Sequence, residues 1–201
     1  MTTLATLKAD IADATDRSDT SAHIARWVRL TEAAIARDLR VHEMEAYAQL
    51  PVVQGQAALP DNALDLLNIE YGARDLQPLA RNALDGMPDR SGQPTGYALQ
   101  GAQLLLYPSP SNGVLEVRFR ARPNALVEDT DTHPLLSTYP DIYLAAALHH
   151  AFAHYFEPER AASQLATYKL AVADANRASR KRRPISAALA RQNATRVAHR
   201  R

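Results

Sequence analysis

Thr95–Arg122 reads TGYALQGAQLLLYPSPSNGVLEVRFRAR, and how this stretch is read decides the fold. Leu115, Val117, Phe119 and Ala121 alternate with Glu116, Arg118, Arg120 and Arg122. A period of two places one set on a buried face and the other on a wet face, which is the pattern of a half-buried strand. Upstream, the runs around Gly101 read as two strands joined by a tight turn, and the Pro108–Gly113 loop leads into the third. The natural reading is an antiparallel meander.

Outward from this stretch, the texture from about Leu50 to Pro134 is uniform, holding most of the prolines and glycines and several short β-prone runs. The run ALDLLNIEYG after Pro60 fits either a helical turn or a strand. On both sides the period changes to that of helices. Thr3 to Ala14 sets Leu4, Leu7, Ile11 and Ala14 at three- and four-residue steps. After TDRSD, with Ser18 or Asp19 as the N-cap, a second helix lines up Ile24, Trp27, Val28, Ala34, Ile35 and Leu39. Its charges fall largely elsewhere, and Arg29 lies three residues before Glu32, within pairing reach. Helices return at STYPDIYLAAALHHAFAHYF, with Ser137 or Thr138 as the cap and Pro140 in the first turn. After the break at Pro158, Leu165, Tyr168, Val172 and Ala175 form one stripe, and Pro184 is expected to end any simple helical extension.

The fold class expected is therefore α+β: mainly a helical bundle, with an inserted small antiparallel β domain and an extended C-terminal arm. The boundaries are 1–48 for the N-terminal helices, 49–134 for the β-rich insert, 135–179 for the C-terminal helices and 180–201 for the arm.

The net charge of +1 conceals an asymmetry. Residues 177–201 hold nine Lys/Arg and no Asp or Glu; subtracted from totals of 23 and 22, this leaves 14 basic and 22 acidic residues, a net of −8, in residues 1–176. A basic arm on an acidic body points to an anionic partner surface, protein or nucleic acid. There are no cysteines, which excludes disulfides and thiolate chemistry and fits assembly in the cytosol. No apolar run approaches the roughly 20 residues of a membrane span, and the N-terminus lacks the pattern of a secretory signal.

The candidate chemistry is thin. His150 and His154 stand one helical turn apart, a spacing able to share zinc, with His149 beside them. A zincin helix needs Glu directly after the first His as general base, and Ala151 stands there. A third ligand can only be nominated among Glu157, His133 and Asp141. The imidazoles therefore read as a wet or subunit-facing side of a helix whose apolar face is Leu144, Leu148, Ala151, Phe152 and Tyr155. No Gly-rich phosphate loop and no nucleophile elbow appear, so neither catalytic residues nor a metal or cofactor are expected.

Three stretches together resemble the head–tail adaptor proteins of tailed bacteriophages. In DTSAHIARWVRLTEAAIARDLRVHEME the matching positions are Glu32, Ile35, Arg37, Asp38, Leu39 and Arg40. In GQPTGYALQGAQLLLYPSP they are Gly92, Pro94, Tyr97, Gly101, Pro108 and Pro110. In THPLLSTYPDIYLAAALHHAFAHYFEPER they are Leu135, Leu136, Pro140, Asp141, Tyr143, Leu144 and Arg160. The resemblance spans roughly residues 3–180.

It implies a structural connector in the virion, assembled in the host cytoplasm as a ring of twelve copies that joins the portal protein to a tail tube or nozzle protein. DNA would pass through the ring with non-specific contact only, and no membrane is involved. The portal-binding arm would present Arg180, Lys181, Arg182, Arg183, Arg191, Arg196, Arg200 and Arg201, with Ile185, Leu189 and Val197 as apolar anchors that order on docking. Arg37, Asp38 and Arg40 would lie at the subunit interface. The rival readings are a DNA-binding virion protein that uses the basic tail, and a wall hydrolase working through a His150/His154 metal or a carboxylate pair.

Overall fold

The computed structural model describes residues 2–17 and 19–198, with side chains described as far as Lys181. The chain divides into two compact units, one built from Met1–Glu43 with Pro123–Arg201 and the other from Met44–Arg122.

The first unit is helical. Helix α1 (Leu4–Thr15) starts in a capping box formed by Thr3 and Thr6, which satisfies two of the donors that a helix start leaves open. It buries Leu4, Leu7 and Ile11 as their spacing predicts. Helix α2 (Ser21–Asp38) buries Ile24, Trp27, Val28, Ala34 and Ile35, and Leu39 follows at 0 % exposure. Asp19 does not cap it: the N-cap is Thr20, without a side-chain bond, because the Asp19 carboxylate accepts from the Tyr155 hydroxyl at 3.1 Å. Ser18 lies outside the described residues. The short α4 (Pro134–Thr138) contains both Ser137 and Thr138, so neither caps a helix. His133 caps α4, and α5 (Pro140–His154) follows with Pro140 in its first turn. Helix α6 (Pro158–Ala198) packs along α5 and buries Ala161, Tyr168, Val172, Ala175 and Ser179.

Two helical expectations are corrected. Helix α5 has no single apolar face. It packs against α1, α2 and α6 and is buried nearly all round, at Ile142, Tyr143, Ala145, Ala146, Ala147, Leu148, Ala151 and Phe152. Its alanines bring neighbouring helices close, and a side-chain wheel reads such small residues as neutral. Helix α6 also runs on through Pro184. That residue lacks an N–H, so it removes one helical hydrogen bond to the Arg180 carbonyl, and the helical backbone nevertheless continues to Ala198. The segment expected as an extended arm is thus helical up to that residue.

The second unit is a single eight-stranded sheet: β1 (Glu45–Val53), β2 (Gln56–Ala58), β3 (Ala63–Tyr71), β4 (Arg74–Asp75), β5 (Gln77–Pro78), β6 (Gly96–Gln100), β7 (Gln103–Tyr107) and β8 (Asn112–Ala121). A five-residue helix, α3 (Arg81–Asp85), sits between β5 and β6. The order is β4-β3-β8-β1-β2-β7-β6-β5. Its two end strands are consecutive in the chain, with Leu76 alone between them. The Leu76 N–H donates to the Ile69 carbonyl at 2.9 Å and the Gln77 N–H to the Thr95 carbonyl at 3.0 Å, so one short segment reaches both edges and the sheet nearly closes on itself.

Inside lie Leu50, Val52, Ala57, Ile69, Leu76, Leu104, Leu106, Leu115, Val117 and Phe119. Each leucine fully withdrawn from water contributes roughly 1.5–3 kcal/mol. The alternation read in β8 holds at Leu115, Val117 and Phe119. Arg120 departs from it at 5 % exposure. A register irregularity in β3 between Ala63 and Asp65 accompanies this, and the buried guanidinium meets the Asp65 carboxylate at 2.5 Å.

The expected fold class holds only in part. The chain is 46 % helical and 26 % strand, a mixed architecture and not a mainly helical bundle with a small insert. Nor is the sheet a simple meander. β7 does not pair with β8; β1 and β2 stand between them. β1 pairs with β8 over nine positions, from Glu45 opposite Arg120 to Val53 opposite Asn112, and its hairpin with β2 fills the place beside β7. The loop after Tyr107 therefore crosses over and packs onto the hairpin turn, where Gly55 has φ +74 and any Cβ would collide with the Ser109 side chain. β5 and β6 run parallel, the one exception to the antiparallel pattern among the described strands.

Candidate functional site

The residues expected at a subunit interface lie where α2 ends against α6. The Tyr168 hydroxyl donates to Asp38 Oδ2 at 2.9 Å, and burial followed by that carboxylate pushes the phenol pKa up. The Asn176 side-chain amide donates to the Asp38 carbonyl at 3.0 Å and, through Oδ1, accepts from the Arg40 N–H at 2.6 Å. One turn further, the His42 N–H donates to Ser179 Oγ at 3.2 Å. Its Nε2 lies 3.1 Å from the Ser179 carbonyl, a contact that requires the proton on that nitrogen. Asn176 thus closes the C-terminus of α2 in the way a capping side chain does. Arg37 and Asp38 are both exposed, and Asp38 is held to its own protomer by Tyr168.

The three clustered histidines separate. His149 Nδ1 lies 2.9 Å from the Ala161 carbonyl and ties α5 to α6. His150 is half-buried, and burial followed by the neighbouring His149 and Arg37 lowers its pKa. His154 packs against His23, with ring centroids 4.4 Å apart and planes tilted by 47°, and meets Trp27 at 5.9 Å. One imidazole is thus a helix tie and another part of an aromatic cluster. Among the described residues no three His, Asp or Glu side chains come together as a metal site, and the nominated third ligands Glu157 and Asp141 are not drawn to His150. Glu157 pairs with Arg160 at 2.8 Å.

A polar constellation that sequence reasoning missed lies in the strap 123–133, where the chain re-enters the helical unit. Glu32 does not pair with Arg29. Its carboxylate accepts from the Leu126 N–H at 2.8 Å, and burial raises its pKa against the opposing effect of that bond. His133 Nδ1 accepts from the Leu136 N–H at 3.1 Å, which makes it the N-cap of α4. With that nitrogen occupied as acceptor, the neutral ring carries its proton on Nε2, 3.0 Å from the Tyr143 hydroxyl. Burial lowers the His133 pKa, and burial with the nearby Glu32 charge raises that of Tyr143. Asp131 accepts from the Val127 and Glu128 N–H groups, and Lys8 bonds Asp129 at 2.6 Å. The strap is thereby laced to α1 and α2. The available signal was His133 directly before Pro134, since a side-chain acceptor preceding a helix-starting proline is a cap pattern.

Of the basic segment, Arg177 bonds Asp174 at 3.3 Å, and Arg180 and Lys181 are exposed. Ser179 is the last buried position described on α6. The side chains of Arg182, Arg183, Ile185, Leu189, Arg191, Arg196 and Val197 lie outside the described residues, as do Arg200 and Arg201 entirely. A family model described as SU10 adaptor protein matches residues 2–194. The chain belongs to the SU10 adaptor family, a family of phage head–tail adaptors. No curated protein matches it significantly. Membership makes this adaptor a structural component of a phage virion. Among its described residues no helix is long and apolar enough to cross a membrane.

Proposed function

We propose that this adaptor forms a ring of twelve copies beneath the portal protein, receives the tail tube or nozzle protein on its other side, and docks to the portal through the basic segment beginning at Arg180. The observation that carries the reading is the family match, which covers both units and runs to residue 194, beyond the last described position at which α6 is buried against its own protomer. Past Ser179 the sequence holds eight Lys/Arg and no acid. Like charges this dense do not pack against one another, but they form charge-assisted bonds with a partner's carboxylates. Arg37 extends from the α2–α6 junction toward a neighbouring copy, while Asp38 and Arg40 hold the junction that presents it. DNA passes through the ring with phosphate contacts only.

Electron microscopy of the chain mixed with purified portal tests this. A ring of adaptor copies seated on one end of the portal is the expected image. A portal whose ends stay bare at saturating adaptor overturns the reading.

A further inference from the structure

The nearly closed sheet has an open seam, and its backbone is directed to receive a strand. On β7, Leu106 donates to the Gly55 carbonyl at 2.8 Å and Ala102 accepts from the Leu59 N–H at 2.9 Å, so residues 102, 104 and 106 face β2. Antiparallel alternation then turns 103, 105 and 107 toward β6, where Gly96, Ala98 and Gln100 are their partners. Tyr97 and Leu99 consequently direct their N–H and C=O groups away from β7. The Tyr97 carbonyl is taken by the Leu79 N–H at 2.7 Å. Beyond Leu79 the chain turns into α3, and among the described residues the Leu99 backbone has no partner. On the opposite lip, β4 pairs with β3 only at Glu70 and Tyr71. Toward Ala63, the outer edge of β3 faces no strand among the described residues.

Between the lips runs a groove of about 820 Å³ lined by Leu59, Leu64, Leu66, Leu79, Tyr97 and Leu99. Leu59, Leu66 and Tyr97 are partly buried and pack against the core, so the groove floor is continuous with it. Leu99 is 50 % exposed. Proteins usually blunt such edges, lysine being a common device, and residues 44–122 contain none. The ionisable groups of the groove besides Tyr97 are Asp61 and Asp65. Arg120 holds Asp65 at 2.5 Å, which leaves the exposed Asp61 carboxylate of the lining without a cation among the described residues.

We propose that this seam binds an extended segment of a partner chain, which adds as a strand along Leu99 and the open edge of β3. Every second side chain of the guest is apolar and fills the groove, and a lysine or arginine at one end meets Asp61. Two open edges select an extended guest, the leucine lining selects the apolar alternation, and the carboxylate selects the basic end. The site lies within the second unit and does not depend on the basic C-terminal segment, so it stands or falls separately from the portal reading.

The probe is a capped peptide, Lys-Val-Thr-Val-Thr-Val, titrated into the full chain and followed by backbone amide NMR. Saturable shifts are expected at residues 63–68 and 97–100, unchanged in a chain ending at Lys181. Leu99→Pro removes the N–H that points into the seam and, with it, one leucine side chain of the groove lining, at an edge position where proline is tolerated. It is expected to weaken binding roughly tenfold, the loss of about one hydrogen bond, with an unchanged melting temperature. Replacing the peptide's lysine by glutamate is expected to weaken binding to the parent chain, with no such difference in Asp61→Asn. Absence of saturable binding overturns the proposal. So does equal affinity of Leu99→Pro or, should that variant fail to fold, of a peptide N-methylated at its valines. Self-association of the adaptor that Leu99→Pro abolishes assigns the seam to a second copy and overturns the partner-chain assignment.

Discussion

At the scale of single residues, His133 does the most with the least. One ring ends the strap, caps α4 through Nδ1 and reaches the buried Tyr143 hydroxyl through Nε2. Protonation places a second proton on Nδ1, which turns that acceptor into a donor facing the Leu136 N–H. The folded state therefore favours the neutral ring, in line with a pKa lowered by burial. A depressed histidine pKa means that the native state holds fewer protons than the unfolded chain. Its stabilisation is complete above the ordinary value of 6.5 and declines as pH falls from there through the lowered value. His133→Ala is expected to cost about 1–2 kcal/mol near neutral pH, the usual loss of a cap and a hydrogen bond. Denaturant melts near pH 8 and pH 5 check it: the gap between parent and variant narrows at the acidic end, and a constant gap contradicts the assignment. Asp38→Ala leaves the buried Tyr168 hydroxyl without its acceptor, for an expected loss of about 1–2 kcal/mol in the same assay. A variant as stable as the parent would contradict the part assigned to Asp38 in the α2–α6 junction.

At the scale of elements, α1 and α2 were legible because their burial follows the side-chain period, which α5, buried nearly all round, does not show. The stripes Leu4–Leu7–Ile11 and Ile24–Trp27–Val28–Ala34–Ile35 are buried as read, as are Leu115, Val117 and Phe119 in β8. What escaped has a common cause. Strands β4 and β5 are two residues each and β2 three, too short for a periodic signal. They form because the sheet's longer strands offer an edge. Strand order was equally hidden, since the loop after Tyr107 looks like a hairpin connection and serves as a crossover. Of the candidate site, Asp38 was legible as a charged helix end, but its partners Tyr168 and Asn176 lie more than a hundred residues away. Glu32 and His133 carried no mutual spacing at all. The sheet reading makes a paired prediction. Leu115→Ala, at 0 % exposure, is expected to destabilise by about 2–5 kcal/mol through lost burial and a cavity. Val114→Ala, its neighbour on the outer face at 52 % exposure, is expected within about 0.5 kcal/mol of the parent. Urea melts of the two variants decide the matter, and equal losses would contradict the assigned faces.

At the scale of the whole molecule, function follows from what the fold leaves without an internal partner. The acidic body, with 14 basic and 22 acidic residues up to position 176, repels copies of itself, and the nine cations that follow have no acidic residue among them in the sequence. The isolated adaptor is therefore expected to be monomeric or weakly associated at micromolar concentration, with the ring forming on the portal. Sedimentation checks this, and a stable dodecamer without portal contradicts it. The central claim is that the basic C-terminal segment is what holds the adaptor to the portal. Its most direct test is the affinity of purified portal for the full chain and for a chain ending at Lys181, measured at two salt concentrations with the melting temperatures of both chains in hand. The account predicts that the shortened chain melts like the parent and loses portal binding, and that the parent's affinity falls as salt rises. A shortened chain that binds portal as tightly as the full one contradicts it.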